Sequence, residues 1–434
     1  MKGSYSIFFT LIGATAALEY QQPISGNILQ ETAETAETAH KQYPNVNLDQ
    51  IIEDSPLLSF HRDIIKIPSI TEHEKSVGEY IIDFLCSQNL TVEKQIVTPG
   101  SETESERFNI YAYAGENRYP DILLTSHIDT VPPFIPYTLQ TPTPYTQFIN
   151  REDVIIGGRG SVDAKASVAA IVFAVLETLQ ESPDASLGLL FDVGEEYSGI
   201  GMKTFSNSDL NLSPPTYKTI IFGEPTGLSL VAGHKGILGF KVVARGKAAH
   251  SGYPWLGQSA ISAILPVLQY LESLQYISPE KGGLLRSEKF GASTLNIGVI
   301  RGGQASNVVP DYAEATVAVR LADGTPDDTR EIIRKAVDRI TSATGSVSIN
   351  FEDLNAGSPP QHLDADVEGF DVITVNYGTD VPSLKIHDQG TQRVKRYLYG
   401  PGSIHVAHGD NEAITVGELE RAVDGYKKLI AAAV

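Results

Sequence analysis

Polar side chains that can bind metal ions stand at the ends of several apolar segments of this sequence. His127 and Asp129 end the segment PDILLTSHID, and Glu195 and Glu196 end ASLGLLFDVGEE. Glu224 closes a third such segment, within YKTIIFGEPT. In open α/β sheets, ligands bind at the carboxyl ends of the strands, so we expect these side chains to meet at one edge of a sheet.

Two Gly-rich stretches add further candidates to this group. Asp163 lies in GGRGSVDAKA, before a long apolar helix pattern, and the stretch YGPGSIHVAHGDNE contains His405, His408, Asp410 and Glu412. Imidazole nitrogens and carboxylate oxygens form a ligand set typical of zinc. Several carboxylates in one pocket also require a cation, because their mutual repulsion is otherwise uncompensated. Each residue alone is more often an ordinary surface group, but their joint placement predicts a metal centre.

The spacing within the two acidic motifs suggests different roles for neighbouring residues. Alternation along a strand places His127 and Asp129 on the same side, so the carboxylate can orient the imidazole while the imidazole binds a metal. Glu195 and Glu196 are adjacent and therefore point in different directions on an extended backbone. One can bind a metal while the other contacts water, and the pattern leaves open which does which.

Helix and strand patterns alternate from about Leu48 onward and predict the elements that carry these residues. Buried strand patterns separated by amphipathic or apolar helices indicate an α/β fold, with a mixed, largely parallel sheet and helices on both faces. A second pattern begins near Gly236 and has the order βαββαβ, which is typical of a ferredoxin-like domain. We therefore expect a larger domain formed by residues 48–236 and 354–434, into which a smaller domain of residues 237–353 is inserted.

The bulk composition limits the classes of protein and of partner. A chain of 434 residues is longer than one hydrophobic core usually serves, which favours two domains. The net charge of −20 argues against nucleic acid and anionic membranes as partners. Beyond the N-terminal segment, no apolar run approaches the ~20 residues of a membrane-spanning helix.

The N-terminal segment indicates export from the cell. Residues 1–17 contain one lysine, a short apolar run and an Ala-x-Ala pattern, which together predict a secretory signal peptide. Residues 18–47 include the repeat ETAETAETA and are interpreted as a flexible leader or a removed propeptide. We therefore expect a secreted, extracellular protein.

Two sequons and the cysteine content bear on the same compartment. Asn89 and Asn211 each begin an Asn-x-Ser/Thr sequon, and both are predicted as glycosylation sites. Cys86 is the single cysteine of the sequence, so an internal disulfide is impossible. Stability must then come from size, packing or metal ions.

Six motifs, taken as an ordered set, resemble those of the co-catalytic zinc exopeptidase and amidohydrolase family. That family includes glutamate carboxypeptidase, aminoacylase, acetylornithine deacetylase, succinyl-diaminopimelate desuccinylase and vacuolar carboxypeptidase S. The motifs are SHIDTVP (126–132), GRGSVDAKA (158–166), GEE (194–196), GEPT (223–226), GKAAHSGYP (246–254) and AHGDNE (407–412). The resemblance covers about residues 50–434, and the chain is most similar to secreted fungal-type carboxypeptidases. Ser126 and Ala166 depart from common family residues, but neither is a ligand position.

The resemblance implies two zinc ions bridged by Asp163 and a water molecule. One ion would also be bound by His127 and Glu224, and the other by Glu196 and His408. His408 is preferred to the nearby His405 because it stands in the Ala-His context of the family.

The resemblance also implies roles for residues that do not bind metal. Glu195 would be the general base, and Asp129 would orient the first histidine ligand. Residues 48–236 and 354–434 would form the catalytic domain, and the inserted residues 237–353 would form a lid. His250 of this lid would donate to the substrate carbonyl oxygen, from its own subunit or from the partner subunit of a homodimer formed through the lid. Arg320 matches a position that holds a substrate carboxylate, and Asn307 is a further substrate-binding candidate.

The expected function is that of a secreted zinc carboxypeptidase. An aminoacylase-like hydrolase of N-acyl amino acids is the alternative, because both substrates place an amide next to a free carboxylate. A non-catalytic binding homologue is a more distant alternative. It would be indicated by a missing ligand or base, whereas all five ligand positions and the base are present.

Overall fold

The structure is a computed structural model that describes residues 47–98, 106–141, 150–213, 215–341, 346–351, 357–387 and 393–433. The predicted signal peptide (1–17) lies outside the described residues. So does the predicted leader (18–47), apart from its last residue.

The described residues form helices and strands that alternate along much of the chain. The α-helices are α1 (Leu48–Glu53), α2 (Pro56–Lys66), α3 (Lys75–Ser87), α4 (Lys165–Glu181), α5 (Ile200–Ser206), α6 (Ala260–Ser273), α7 (Pro326–Thr341) and α8 (Val416–Ala433). The strands are β1 (Thr91–Thr98), β2 (Arg107–Tyr113), β3 (Ile122–His127), β4 (Thr138–Gln140), β5 (Ile155–Gly157), β6 (Leu187–Asp192), β7 (Thr219–Gly223), β8 (Leu230–His234), β9 (Gly236–Arg245), β10 (Ala249–His250), β11 (Arg286–Ser287), β12 (Gly291–Ala292), β13 (Thr294–Gly302), β14 (Val308–Val309), β15 (Tyr312–Leu321), β16 (Val347–Asn350), β17 (Gln361–His362), β18 (Val372–Val375), β19 (Lys395–Tyr399) and β20 (Ala413–Thr415). None of these helices is long and apolar enough to cross a membrane.

Six strands form the central sheet in the order β1-β2-β6-β3-β7-β19. β3 pairs in parallel with β6 and β7, and β7 pairs in parallel with β19. β1 and β6 pair antiparallel with β2. β3, β6 and β7 are buried along their whole length, as expected for strands that are covered on both faces. The predicted mixed, largely parallel sheet is therefore confirmed.

Apolar side chains cover both faces of this sheet. One core cluster joins the sheet to α2, α3, α4 and α8, and a second joins it to α5 and to residues between 381 and 398. Successive residues of a strand point to opposite faces, so Leu124 belongs to the first cluster and Leu123 to the second. The sheet is thus held between two apolar layers, which leaves its strand ends free to carry polar residues.

Residues 48–67 form two helices instead of one continuous helix. α1 ends at Glu53 and α2 begins at Pro56. Proline lacks the N–H of a helix interior and disfavours helical backbone in the residue before it. Ser55 caps the new helix, since its hydroxyl accepts a hydrogen bond from the backbone N–H of Leu58 at 3.4 Å.

The inserted segment has its own sheet and its own core. Its long elements follow the order β9-α6-β13-β15-α7-β16, which is the predicted βαββαβ pattern. The four strands are antiparallel in the order β13-β15-β9-β16, and α6 and α7 pack against them. The core cluster of this lid contains only residues between 238 and 351. The exact domain boundaries stay a prediction.

The lid core predicts a contrast between two leucines of the same helix. Leu271 and Leu265 both lie in α6, but Leu271 is 0% exposed and Leu265 is 54% exposed. Leu271→Ala should lower the free energy of unfolding by about 2–5 kcal/mol, because it leaves a cavity in the core. Leu265→Ala should change it by less than about 0.5 kcal/mol. Urea denaturation of both variants measures the difference, and equal losses would contradict the assigned core.

Candidate active site

Asp163 lies at the centre of a group of polar side chains at the carboxyl edge of the central sheet. It precedes α4 and is 5% exposed. Its Oδ1 atom is 3.1 Å from His127 Nε2, and its Oδ2 atom is 3.3 Å from His408 Nε2. The two oxygens of one carboxylate therefore face two different imidazoles, as suits a carboxylate that bridges two metal ions.

Glu196 lies beside the second of these imidazoles. Its Oε2 and Oε1 atoms are 2.9 Å and 3.1 Å from His408 Nε2. One potential ligand atom each from His127, Asp163 and Glu196 lies within 4.8 Å of the other two. Nitrogen and oxygen atoms at these separations can approach a common cation.

Glu195 and Glu224 line the same cavity as Asp163, Glu196 and His408. Glu195 lies in the turn after β6, and Glu224 directly follows β7 and is 7% exposed. The cavity has a volume of about 370 Å³, which is within the range of small-molecule sites. The structure thus brings the predicted general base and the predicted ligands together.

Burial and like charges disfavour ionisation of two of these carboxyl groups. Burial, together with the charge of Glu224, raises the pKa of Glu195 well above its ordinary value. Burial also raises the pKa of Glu224, and the charge of Asp163 adds to the effect while His127 opposes it. Carboxylates in this cavity therefore need positive charge beside them.

For the two histidines, in contrast, the surroundings favour the charged form. Burial opposes the charged form of His127, but hydrogen bonds with Asp129 and Asp163 raise its pKa well above the ordinary value. Hydrogen bonds with Asp163 and Glu196 raise the pKa of His408 to about 10. Protonated imidazoles and divalent cations compensate the same carboxylate charge, so the cluster attracts cations. Its imidazole and carboxylate donors fit divalent metal ions such as zinc.

Asp129 is fully buried and connects three segments of the chain. Its Oδ1 atom accepts a hydrogen bond from the backbone N–H of Glu195 at 3.1 Å, and its Oδ2 atom accepts from Glu196 N at 3.3 Å and Thr71 Oγ1 at 2.7 Å. His127 Nδ1 lies 3.0 Å from the backbone oxygen of Asp129 and 3.6 Å from its Oδ1 atom. Asp129 therefore holds the Glu-Glu turn as well as the imidazole. Sequence reasoning missed the first of these contacts.

Arg320 extends from strand β15 of the lid to the cavity. Burial lowers the pKa of its guanidinium, while the charge of Glu195 counteracts this effect. Within the described residues, no carboxylate forms an ion pair with Arg320. A guanidinium that has no ion-pair partner among the described residues is therefore available to a ligand.

His250 and Asn307 lie together in the lid, but they do not line this cavity. β10 and β14 pair with His250 opposite Val308, and the backbone N–H of Ser251 donates to the oxygen of Asn307 at 2.9 Å. Both predicted residues are exposed. The structure brings them to one another and leaves them outside the metal-ligand cluster of their own chain.

The cavity also contains residues that the sequence analysis did not single out. Tyr377, Thr379 and Asp380 line it from the loop after β18, and Tyr377 donates a hydrogen bond to the oxygen of Pro225 at 3.0 Å. Their Tyr-Gly-Thr-Asp sequence follows no buried strand, so the strand-end rule did not detect it. Both histidines after β19 are exposed, and His408 is the one that contacts Asp163 and Glu196.

The two predicted glycosylation sites differ in accessibility. Asn89 is exposed in the turn between α3 and β1. Asn211 is 5% exposed, and its Nδ2 atom donates to the oxygens of Ser206 at 2.9 Å and Lys385 at 3.0 Å, while its Oδ1 atom accepts from Tyr217. A glycan attached to Nδ2 would break these hydrogen bonds at a buried side chain. Asn211 is therefore withdrawn as a glycosylation site of the folded protein.

Comparisons with known proteins place this site in a family. Residues 232–345 match the model of the peptidase dimerisation domain. A probable carboxypeptidase of Aspergillus flavus is 68% identical over 422 residues, which cover 97% of each chain. A solved tripeptidase from Staphylococcus aureus is 19% identical, with a TM-score of 0.67 over 88% of this chain and 99% of that chain.

A second solved structure carries the family name. It is an M20 family metallo-carboxypeptidase from Sulfolobus solfataricus, 16% identical, with a TM-score of 0.63 over 87% of this chain and 99% of that chain. At such identities the structural likeness shows the fold alone, whereas the fungal relative and the dimerisation domain show the family. The resemblance predicted from the six motifs is confirmed, and the chain belongs to the M20 family of metal-dependent peptidases and related hydrolases.

Proposed function

We propose that the protein is a secreted di-zinc carboxypeptidase that hydrolyses the C-terminal peptide bond of its substrate with Glu195 as general base. One observation carries this proposal. The carboxylate of Asp163 faces two imidazoles with its two oxygens, in a cavity that also holds Glu195 and Arg320.

The geometry supports two adjacent metal positions that share Asp163. His127 and Glu224 would complete the first position, and Glu196 and His408 would complete the second. The distances from Asp163 and Glu196 to the imidazoles support this division. Bound zinc ions would lower the pKa of a water molecule and polarise the scissile carbonyl group.

Glu195 is suited to act as the general base. Its backbone is fixed by the hydrogen bond to Asp129, and its side chain faces the cavity. Its carboxylate would take a proton from the attacking water and deliver it to the nitrogen of the leaving amine. Glu196 next to it would remain bound to metal, so the adjacent glutamates have separate roles.

Arg320 supports cleavage beside a free carboxylate. It reaches the cavity from the lid, and it forms no ion pair within the described residues. A guanidinium binds a carboxylate through two parallel hydrogen bonds. Peptides and N-acyl amino acids both offer that group, and the names of the fungal relatives favour peptides.

The position of His250 supports a homodimer formed through the lid. His250 is exposed and does not line the cavity of its own chain, although it is expected to contact substrate. The match to a peptidase dimerisation domain supports the delivery of His250 and Asn307 to the partner's cavity. We also propose that residues 1–17 direct export of the protein and that the exposed Asn89 carries a glycan.

Replacement of Glu195 tests the general base. Glu195→Gln should lower kcat for a blocked dipeptide by about 10²–10⁴-fold while zinc content stays unchanged, because the amide cannot accept the proton. Glu196→Gln is the matched control and should lower zinc content instead. Kinetics and elemental analysis of both variants are the measurements. Normal turnover by Glu195→Gln would refute the assignment.

Replacement of Arg320 tests the carboxylate anchor. Arg320→Met should lower kcat/KM for substrates with a free carboxylate by about 10–100-fold, since hydrogen bonds to charged groups contribute about 1.5–3 kcal/mol. The corresponding C-terminal amides should be affected much less. Arg301→Met in β13, where the side chain is 75% exposed, is the control. Equal losses on acids and amides would contradict the anchor, and a parallel N-acyl amino acid panel separates the two substrate classes.

A mixed dimer tests whether His250 acts across subunits. His250→Ala and Glu195→Gln should each be inactive alone. When they are unfolded and refolded together, about a quarter of wild-type activity should return, because half of the dimers are mixed and each contains one intact site. Activity assays before and after mixing are compared. If His250 serves its own subunit, mixing restores nothing.

A further inference from the structure

A buried ion pair lies beside the proposed metal site and touches none of the residues assigned to substrate. Arg159 and Glu412 are each 2% exposed, and Arg159 Nη1 lies 2.6 Å from Glu412 Oε2. They are 253 residues apart in the sequence and come from the two Gly-rich stretches. Buried ion pairs contribute little net stability, so stability alone does not explain this one.

Glu412 fixes the backbone of the proposed bridging ligand. Its Oε1 atom accepts hydrogen bonds from the backbone N–H groups of Val162 and Asp163, both at 3.0 Å. Its backbone oxygen accepts from Ser161 Oγ at 3.0 Å and from Gly158 N at 3.1 Å. Four hydrogen bonds therefore attach Glu412 to the turn that carries Asp163.

Arg159 fixes the backbone around the second histidine ligand. Its guanidinium donates to the oxygen of His408 at 3.4 Å, to that of Gly409 at 3.3 Å and to that of Pro133 at 3.3 Å. His408 has a φ angle of 62°, which is uncommon for a residue other than glycine. Its side chain is 52% exposed, so packing does not hold it. Apart from the contacts of its Nε2 atom with Asp163 and Glu196, the position of this imidazole depends on the backbone to which Arg159 donates.

We infer that Arg159 and Glu412 are positioning residues that set the separation of Asp163 and His408 before metal binds. Asp163 is held through Glu412 and His408 through Arg159, and the ion pair joins the two halves. A guanidinium can donate to a carboxylate and to three carbonyl groups together, whereas an ammonium lacks this fork of donors. The inference rests on the proposed metal site, because a fixed separation has this use only if both residues bind metal.

The test compares metal affinity in two pairs of variants. Arg159→Lys keeps the positive charge but loses the planar set of guanidinium donors. Glu412→Gln keeps an acceptor for the two backbone N–H groups but loses the negative charge. The control pair is Arg151→Lys and Glu420→Gln, since Arg151 and Glu420 also lie 2.6 Å apart, but their side chains are 43% and 32% exposed and bond to one another. Zinc and cobalt(II) affinities are measured by chelator competition at a temperature where circular dichroism shows each variant folded.

Arg159→Lys and Glu412→Gln should bind zinc and cobalt(II) about 10–100-fold more weakly, the usual cost of losing support behind a metal ligand. The cobalt(II) absorption spectrum should change, and excess zinc should restore part of the activity. The control pair should retain wild-type affinity. Wild-type affinity in the first pair, or equal losses in the control pair, would overturn the inference. If wild-type protein itself binds no metal, the proposed function fails instead.

A measurement on the wild-type protein covers the case in which both buried variants fail to fold. In metal-free protein, the amide hydrogens of Val162 and Asp163 should exchange slowly, because Glu412 already holds them. Mass spectrometry with residue-level fragmentation measures their exchange. Exchange at the rate of unprotected amides would show that the turn is not held in advance and would overturn the inference.

Discussion

Electrostatic repulsion among carboxylates in a poorly solvated space is the constraint on which the rest of this structure depends. The parallel arrangement of β3, β6 and β7 brings their carboxyl ends to one edge, with His127, Asp192 and Gly223 as the last residues. The acidic residues that follow are buried or partly buried there. Such a group is stable only when each charge has a partner. The fold provides these partners in two ways. The two ways distinguish carboxylates that support the site from carboxylates that can take part in its chemistry.

Some carboxylates receive their partners from the protein. Asp129 accepts two backbone N–H groups and a threonine hydroxyl, and Glu412 accepts two backbone N–H groups and a guanidinium. These groups have little capacity left for a ligand. Asp163 and Glu196 face imidazoles instead, which a metal ion can also approach. The carboxylates whose hydrogen-bond partners come from the protein therefore support the carboxylates that a metal ion can approach.

The sequence predicted the parts of this arrangement that follow from local pattern. Apolar runs that end in polar residues predicted both the sheet and the convergence of His127, Glu196 and Glu224, because strand direction determines where strand ends meet. The order of the lid elements was equally visible from periodicity. Contacts between loops could not be predicted in this way. No sequence pattern indicates that Glu412 contacts the backbone of Asp163, which is 249 residues away in the chain.

Other outcomes depended on packing, which periodicity does not report. The sequons at Asn211 and Asn89 fit the same Asn-x-Ser/Thr pattern, but tertiary contacts close around the side chain of Asn211. Likewise the lid directs Arg320 into the cavity and His250 to the surface, although both belong to one small domain.

The proposed ligands stand on both sides of the inserted lid, and this order has a consequence during biosynthesis. His127, Asp163, Glu196 and Glu224 are translated before the lid, whereas His408, Glu412 and the edge strand β19 are translated after it. The earlier part of the growing chain cannot close the second metal position or form the buried ion pair. A ribosome that stalls within the lid therefore leaves a nascent chain without its full ligand set. Hydrolytic competence is thereby delayed until the lid and the segment behind it have both been made.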